Sequence, residues 1–440
     1  MTDNVDIPAL PKNLDDVDRA FMTALLRRRG VIDATDEVMS QEDKGVGMTA
    51  GYFSAIKKVI CTYRHAPHGS DSFIVKTWPP LELLPKDAIG AMFAKDIAGY
   101  AFPQDRFYPR PLAHLAGCDP ADDRWALVLE DADTFAEHKV HEHEMRVDEL
   151  LRMIPKLVDV AVAWEGCDGG DRASELDSHG VDLWASDANL AIYKAVMPGG
   201  AKLFDKMTTL PESSLVAGRP WDRPGDGPGI AELFSTRLDA FFATAHPRSG
   251  STCTLSHGDL RGDNIFFCDP DERYPDGWLC IDFQLMFRGP VPSDLAYLLS
   301  TATVLPEVYA PENMAIILRS FYDQFMAKTM VYKDYTYDQF VNELRTMTMV
   351  FFVYVVGMGG AIFRQGAFEN TGGTRVELGG QGAREADLAP EELRQRMWWT
   401  KFIANFAANF KAFGTHTYLQ GLPASLEGLG EWVELPSHLR

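Results

Sequence analysis

Positive charge is in short supply in this sequence. Its 42 lysines and arginines are outnumbered by 63 aspartates and glutamates, which gives a net charge of −21 at neutral pH. An excess of negative charge repels phosphate groups, so it disfavours a nucleic acid or an anionic membrane surface as the partner. It is compatible with a cationic or neutral small molecule.

Cysteine is also scarce, and its spacing excludes the common cysteine-based sites. The six cysteines contain no C-x-x-C pair, which is the spacing of many zinc and redox sites. Cys268 and Cys280 stand in apolar segments typical of a buried core, so a reduced, intracellular protein is the simplest expectation. No basic segment precedes an apolar one near the N-terminus, as a targeting signal would require. We therefore expect a cytoplasmic protein.

Long apolar runs are nearly absent. The segment from Thr346 to Phe363 has no charged residue, but it only reaches the length of about 18 residues that a membrane-spanning helix needs. It contains Thr346, Thr348 and three glycines, and no second run accompanies it. We expect a buried helix of a globular domain there and no membrane span.

The candidate functional residues concentrate between Leu255 and Gln284, in LSHGDLRGDNIFFCDPDERYPDGWLCIDFQ. The apolar runs 265–268 and 278–283 predict two strands, and the Pro-, Asp- and Gly-rich stretch between them predicts a hairpin turn. Facing residues of such a hairpin lie only about 5 Å apart, so its open end would bring Asn264 and Asp282 side by side. Their oxygens suit Mg²⁺, and Asp259 precedes them in a tight turn. The alternative is an acidic hairpin on an ordinary protein surface.

The motif HGDLRGDN followed by IDFQ resembles the protein-kinase-like small-molecule kinases. This superfamily includes aminoglycoside phosphotransferases, choline kinases and the ecdysteroid-kinase-like group. The motif residues of the last group resemble those of this sequence most. The resemblance implies an α+β, bilobal protein-kinase-like fold with a small β-rich N-lobe and a larger, mainly helical C-lobe. It also implies ATP and Mg²⁺ as cofactors and the hydroxyl group of a small molecule as the phosphoryl acceptor. Carried over to these residues, Asp259 is the catalytic base, His257 braces its loop, and Asn264 and Asp282 hold the metal.

The same resemblance implies nucleotide-binding residues in the first third of the chain. Gly51 belongs to a glycine-punctuated loop, GVGMTAGYFS, whose backbone could approach phosphates, although a plain hairpin turn would look alike. Lys76 ends an apolar strand where related kinases grip the α- and β-phosphates. Asp96 stands on a helix where the family usually has the glutamate that pairs with this lysine, and a solvated carboxylate is the alternative. The segment LVLED implies backbone contacts of adenine near Glu130 and Ala132, although an ordinary edge strand is also compatible.

The pattern along the chain predicts three regions. Residues 1–35 are an extension with a helix, residues 36–130 a β-rich nucleotide-binding lobe, and residues 131–440 a mainly helical lobe with the catalytic loop and the acceptor site. Within the last region, residues 366–390 form a Gly-rich insert that predicts a mobile loop. Asp294, in a D-L-A-Y segment, is expected to cap a helix or to bind the catalytic loop backbone.

Two function hypotheses follow from these observations. The first is an ATP- and Mg²⁺-dependent kinase of a small hydroxylated molecule, with steroid-like alcohols, choline-like amino alcohols and aminoglycosides as competing substrate types. The second is a catalytically inactive nucleotide-binding or partner-binding protein. It is motivated by Asp96 and by Glu165, because the family often has a His-Ala pair where this chain has Glu165 and Gly166. The intact Asp259, Asn264 and Asp282 favour the enzyme.

Overall fold

The computed structural model describes most of the chain, in twelve stretches. They are residues 9–45, 54–65, 70–78, 86–122, 124–138, 144–187, 189–195, 229–245, 251–300, 304–352, 402 and 404–422. The chain divides into two compact units, Met1–His138 with Phe266–Leu285, and Lys139–Ile265 with Met286–Arg440. The predicted limits of the lobes stay a prediction, and the Gly-rich insert lies outside the described residues.

The described residues contain both strands and helices, which confirms the predicted α+β class. The strands are β1 (Val38–Gly45), β2 (Ala55–Tyr63), β3 (Ser70–Thr77), β4 (Ala113–Asp119), β5 (Arg124–Glu130), β6 (Glu137–His138), β7 (Thr254–Ser256), β8 (Ile265–Phe267), β9 (Trp278–Cys280) and β10 (Phe287–Gly289). The helices include α1 (Arg19–Arg28), α2 (Lys86–Ala101), α3 (Val147–Ala163), α4 (Gly170–Ser178), α5 (Ile230–Ala245), α6 (Ser293–Ser300), α7 (Pro311–Lys328), α8 (Tyr337–Phe352) and α9 (Thr415–Gly421).

The first unit is built on a five-stranded antiparallel sheet with the order β1-β2-β3-β5-β4. Successive side chains of a strand point to opposite faces, so each face of this sheet packs on a different helix. Phe73 and Val75 of β3 belong to the core under α1, which lies in the predicted N-terminal extension. Ile74 and Trp78 belong to the core under α2. Lys76 is two positions from Ile74 and two from Trp78, so its side chain lies on the same face of the sheet and points towards α2.

A second, three-stranded sheet of this unit has the order β6-β8-β9. Its last strand is shorter than the sequence predicts, because β9 ends at Cys280 and not at Phe283. The backbone of Asp282 has φ +73°, in the left-handed region where a strand cannot continue. The predicted strand over 278–283 is therefore wrong in its second half.

Helices dominate the second unit. Helix α3 packs against α7, and α6 packs against α8, while β7 and β10 form a small antiparallel pair. The charge-free run that begins at Thr346 forms the buried end of α8 up to Phe352, as predicted for a core helix, and residues 353–363 lie outside the described part. In the C-terminal helical stretch 404–412, Phe406 and Phe410 are buried.

No helix in the described part of the chain combines the length and the apolar character that crossing a membrane requires.

A half-buried carboxylate on α8 connects this helix to the residues that lead into β7. Glu343 accepts hydrogen bonds from the backbone N–H of Thr252 (2.9 Å), the hydroxyl of Thr252 (2.5 Å) and the hydroxyl of Tyr335 (2.5 Å). Burial raises the pKa of Glu343 to about 7, against the effect of these hydrogen bonds, which favour the charged form. The folded protein therefore holds a proton on Glu343 at pH values where the unfolded chain has lost it.

This proton makes stability depend on pH. Between the ordinary glutamate pKa of 4.5 and the folded value of about 7, the folded state binds the extra proton, so stability falls as pH rises and levels off above that window. Proton linkage limits the decrease in the free energy of unfolding from this one group to about 3 kcal/mol. Glu343→Gln cannot titrate, so its Tm relative to the parent should rise from pH 5 to pH 7.5 in calorimetric scans. Glu312→Gln, an exposed position on α7, is the control, and a flat difference for Glu343→Gln would contradict the account.

Candidate active site

Lys76 lies at the centre of a buried charge cluster in the first unit. Its Nζ is 3.0 Å from Oδ1 of Asp282 and 3.3 Å from Oδ2 of Asp96. The lysine side chain is 6% exposed and that of Asp96 is 1% exposed, whereas 15% of the Asp282 side chain reaches solvent. The cluster joins a strand, a helix and the segment after β9. Asp96 is therefore not the solvated carboxylate that the sequence left open as an alternative, and Lys76 is buried beside it.

The charges in this cluster oppose the cost of burial. Burial by itself lowers the pKa of Lys76, but the charges of Asp282 and Asp96 and their hydrogen bonds outweigh it, so the pKa of Lys76 is raised. Burial raises the pKa of Asp96, while Lys76 and the backbone N–H of Phe283 favour its charged form. Lys76 is therefore a fixed cation at neutral pH, suited to binding anions and unsuited to accepting a proton.

The segment of Asp282 is held against α2 by close packing. The backbone N–H of Phe283 donates to Oδ1 of Asp96 over 2.9 Å. A Cβ atom at Gly99 would lie 2.4 Å from the Cβ of Phe283, so only glycine at this helix position lets the segment approach. Gln284 donates to the second oxygen of Asp282 over 3.2 Å. Asp282 thus has hydrogen-bond donors on both oxygens and the left-handed backbone described above.

Glu130, the last residue of β5, uses its side chain for structure. Arg273, in the turn between β8 and β9, binds both of its oxygens, over 3.0 Å and 2.5 Å, and the N–H of Leu112 donates to one of them over 3.2 Å. The next carboxylate, Asp131, is bound by Lys58 over 2.5 Å and by the hydroxyl of Ser72 over 2.6 Å.

The segment that follows β5 also packs on the β8–β9 hairpin. Ala132 belongs to the same buried cluster as Phe266, Tyr274 and Leu279. Glu130 and Ala132 are therefore fixed by their neighbours, through an ion pair and through packing.

The His-Gly-Asp turn lies in the second unit, directly after β7. Gly258 has φ +80°, which glycine adopts without strain. Asp294 accepts the backbone N–H groups of His257 (3.0 Å) and Gly258 (3.2 Å), which confirms the predicted structural role of Asp294. His257 is fully buried, and its Nδ1 accepts the backbone N–H of Asp259 over 3.3 Å. His257 thus braces the loop, as the motif implies.

The carboxylate of Asp259 is held through both of its oxygens. The hydroxyl of Tyr297 donates to Oδ1 over 2.6 Å, and Nε of Arg261 lies 3.5 Å from the same oxygen. The amide nitrogen of Asn264 donates to Oδ2 over 3.1 Å and to the backbone carbonyl of Asp259 over 2.8 Å. Because the nitrogen of Asn264 is engaged in this way, its amide oxygen is the atom available for a cation.

The predicted site residues are distributed over the two units. The first unit contains Lys76, Asp96, Glu130, Ala132 and Asp282, and the second contains His257, Asp259 and Asn264. Gly51 lies outside the described residues. In the described ranges, no group of three or more His, Cys, Asp or Glu side chains is arranged to hold a metal ion, so the joint metal role of Asn264 and Asp282 stays a prediction.

The sequence analysis missed four residues whose side chains contact the predicted site residues. Three of them stand inside motifs that were already singled out: Arg261 in HGDLRGDN, Gln284 in IDFQ and Tyr297 in D-L-A-Y. Arg273 stands in the hairpin turn, where charged residues are usually solvated, and nothing in the sequence identified its partner.

Glu165, the departure from the family pattern, is a structural residue. It is 4% exposed and accepts the hydroxyl of Thr329 and the backbone N–H groups of Met330 (3.0 Å) and Val331 (3.3 Å). It thereby fixes the turn that follows α7. This carboxylate has a structural role through its hydrogen bonds, and its presence says nothing against activity.

A comparison with protein families supports the resemblance drawn from the motifs. The model of the ecdysteroid kinase-like family matches residues 193–334. The matched segment includes the His-Gly-Asp turn, Asn264, Asp282 and the D-L-A-Y segment. The predicted resemblance is thereby confirmed. Lys76, Asp96, Glu130 and Ala132 lie outside the matched segment.

Several solved structures are similar to the chain at low sequence identity. The GDP complex of wild-type aminoglycoside 2'-phosphotransferase-IIIa is 13% identical with a TM-score of 0.42, covering 86% of this chain and 98% of that one. An amicoumacin kinase in complex with AMP-PNP and Ca²⁺ is 11% identical with a TM-score of 0.39, covering 82% and 90%. A choline/ethanolamine kinase family protein from Mesorhizobium loti is 11% identical with a TM-score of 0.38, covering 83% and 95%. No curated protein matches the chain.

The left-handed backbone at Asp282 predicts an unusual order of stability between two variants. Asp282→Ala and Asp282→Gly remove the same carboxylate from Lys76, but only alanine keeps a Cβ at φ +73°. We expect the glycine variant to be more stable by about 1 kcal/mol, measured by denaturant unfolding without nucleotide. At the exposed Asp269 of the same hairpin, the alanine variant should be at least as stable as the glycine variant. An alanine advantage at Asp282 would show that the left-handed backbone is absent.

Proposed function

We propose that this protein is an ATP- and Mg²⁺-dependent phosphotransferase that acts on a hydroxyl group of a small molecule. The observation that carries the proposal is the pairing of Lys76 with Asp96 and Asp282, at 3.3 Å and 3.0 Å. The motif resemblance assigned nucleotide and metal roles to these three residues, although Asp282 is 206 positions from Lys76 in the chain. The match to the ecdysteroid kinase-like family supports the same chemistry.

In this proposal the residues of the first unit bind the nucleotide. Lys76 binds the α- and β-phosphates, and Asp96 orients it. Because the side chain of Glu130 is occupied by Arg273, adenine contacts the backbone near Glu130 and Ala132 and not their side chains. Gly51 contributes backbone N–H groups to the phosphates.

Asp282 and Asn264 are the proposed ligands of Mg²⁺. A carboxylate and an amide oxygen are hard donors of the kind this ion prefers, and the amide oxygen of Asn264 is left available by the hydrogen bonds of its nitrogen. When bound, the ion neutralises charge on the transferring phosphoryl group.

Asp259 orients the acceptor hydroxyl and takes its proton. The hydroxyl oxygen bonds to the γ-phosphorus, the bond from this phosphorus to the bridging oxygen breaks, and the products are ADP and a phosphate ester. Asp259 is suited to this role because Tyr297 and Asn264 fix its carboxylate, so a hydroxyl meets an oriented acceptor. His257 supports the backbone of the loop.

The alternative, an inactive nucleotide-binding protein, rested on two departures from the family pattern. Asp96 reaches Lys76 despite its shorter side chain, and Glu165 fixes a turn after α7. Neither contact favours the alternative. A screen of steroid-like alcohols, amino alcohols and aminoglycosides for ADP release and phosphorylated product tests the two hypotheses, since nucleotide binding without turnover on any of them supports the inactive protein.

The proposed role of Asp259 as the base predicts a specific effect of the substitution Asp259→Asn. The variant keeps the shape and most hydrogen bonds of the carboxylate but removes proton acceptance, which contributes about 10²–10⁴-fold to such reactions. We expect transfer to fall towards the lower end of this range, since the transition state is loose. Affinity for MgATP by calorimetry should stay near that of the parent. Lost affinity with unchanged transfer per bound ATP would make Asp259 a metal or structural residue, and an unchanged rate would exclude it as the base.

A further inference from the structure

The hydroxyl of Tyr297 makes the shortest of the described contacts to the side chain of Asp259, 2.6 Å to Oδ1. Tyr297 is 3% exposed, so this hydrogen bond is shielded from water. A hydroxyl that donates to a charged carboxylate forms a hydrogen bond about twice as strong as one between neutral groups. The contact is therefore able to fix the orientation of the Asp259 side chain.

Helix α6 supports the backbone and the side chain of the same turn. Asp294, in its first turn, accepts the backbone N–H groups of His257 and Gly258. Tyr297 follows three positions later, on the same face of the helix, and binds the Asp259 carboxylate. The ring of Tyr297 is itself held by Phe351 of α8, with ring centroids 4.6 Å apart in an edge-to-face arrangement. One rigid helix thus controls where the turn lies and how its carboxylate points.

Tyr297 and Asn264 hold different oxygens of the carboxylate. The tyrosine hydroxyl donates to Oδ1 and the amide nitrogen of Asn264 donates to Oδ2. If the tyrosine hydroxyl were absent, Asn264 would still hold Oδ2, but Oδ1 would lose its hydroxyl donor and the carboxylate would be less firmly oriented.

We propose that Tyr297 is a positioning residue for phosphoryl transfer, which holds the Asp259 carboxylate in the orientation that receives the proton of the hydroxyl to be phosphorylated. This inference rests on the proposed function and adds a residue to it. Tyr297 acts through Asp259 and does not touch the reacting atoms. Its contribution must therefore vanish when Asp259 can no longer act as the base.

A double-mutant cycle tests this dependence. The variants are Tyr297→Phe, Asp259→Asn and the double variant, and the phenylalanine ring preserves the packing on Phe351. Tyr309→Phe is the matched control, because Tyr309 is also 3% exposed and its hydroxyl donates to the backbone of Leu299 on the same helix. The rate is that of ADP formation from MgATP with water as the acceptor, so that no identified substrate is needed. The second measurement is the Tm without nucleotide.

We expect Tyr297→Phe to lower kcat by about 10-fold, within the coupling range of residues in contact, and to leave KM for ATP unchanged. In the Asp259→Asn background the same substitution should change kcat by less than about 2-fold. Tyr297→Phe should lower the Tm of the parent by about 2 °C, and it should lower the Tm of Asp259→Asn by less. Tyr309→Phe should leave kcat at the parent value.

Equal rate factors in both backgrounds would overturn the inference, because Tyr297 would then act through packing alone. The inference would also be overturned if Tyr297→Phe left kcat unchanged while Asp259→Asn lowered it. In that case the proposed function stands. If Asp259→Asn leaves the rate unchanged, or the parent forms no ADP with water or with any of the hydroxylated compounds of the screen, the proposed base fails and the inference fails with it. Equal Tm shifts in both backgrounds would show that the hydrogen bond does not couple the two residues.

Discussion

A buried ammonium group needs nearby negative charge, and the arrangement of the first unit depends on how Lys76 obtains it. The alternation of β3 directs Lys76 away from the core under α1 and towards α2, where Asp96 meets it. The second carboxylate comes from Asp282, whose segment approaches α2 because Gly99 has no side chain. Removing one member of such a cluster leaves an uncompensated buried charge, which costs about 3–5 kcal/mol. Strand β3, helix α2 and the segment of Asp282 therefore depend on one another.

In the second unit the corresponding requirement is to fix the orientation of a buried carboxylate. Asp259 is 6% exposed, and hydrogen bonds from Tyr297 and Asn264 replace the water that it has lost. The helix that supplies Tyr297 also supplies Asp294, which holds the backbone of the turn. The orientation of the carboxylate is thus set by rigid secondary structure, and such orientation is what a positioned base contributes to catalysis.

The sequence was sufficient for the features that depend on spacing or periodicity. The motif resemblance singled out Lys76, Asp259 and Asp282, and the charge-free run from Thr346 predicted the buried end of α8. Features that depend on contacts between distant segments could not be read in the same way. Asp282 alternates with apolar neighbours as a strand residue would, so its left-handed backbone was invisible. Tyr297 looks like any aromatic residue of an apolar helix, because its hydrogen bond exists only once α6 packs beside a turn 38 positions earlier in the chain.

The central claim is that a phosphoryl group passes from ATP to a hydroxyl of a small molecule. The most direct measurement follows the phosphorus itself: the protein is incubated with MgATP and pooled hydroxylated compounds, and phosphorus NMR and mass spectrometry identify where the γ-phosphoryl group goes. The account predicts a new phosphate ester in equal amount to ADP, formed only with Mg²⁺ and strongly reduced in Asp259→Asn. ADP accompanied only by inorganic phosphate with every pool, or bound ATP that is never consumed, would contradict it.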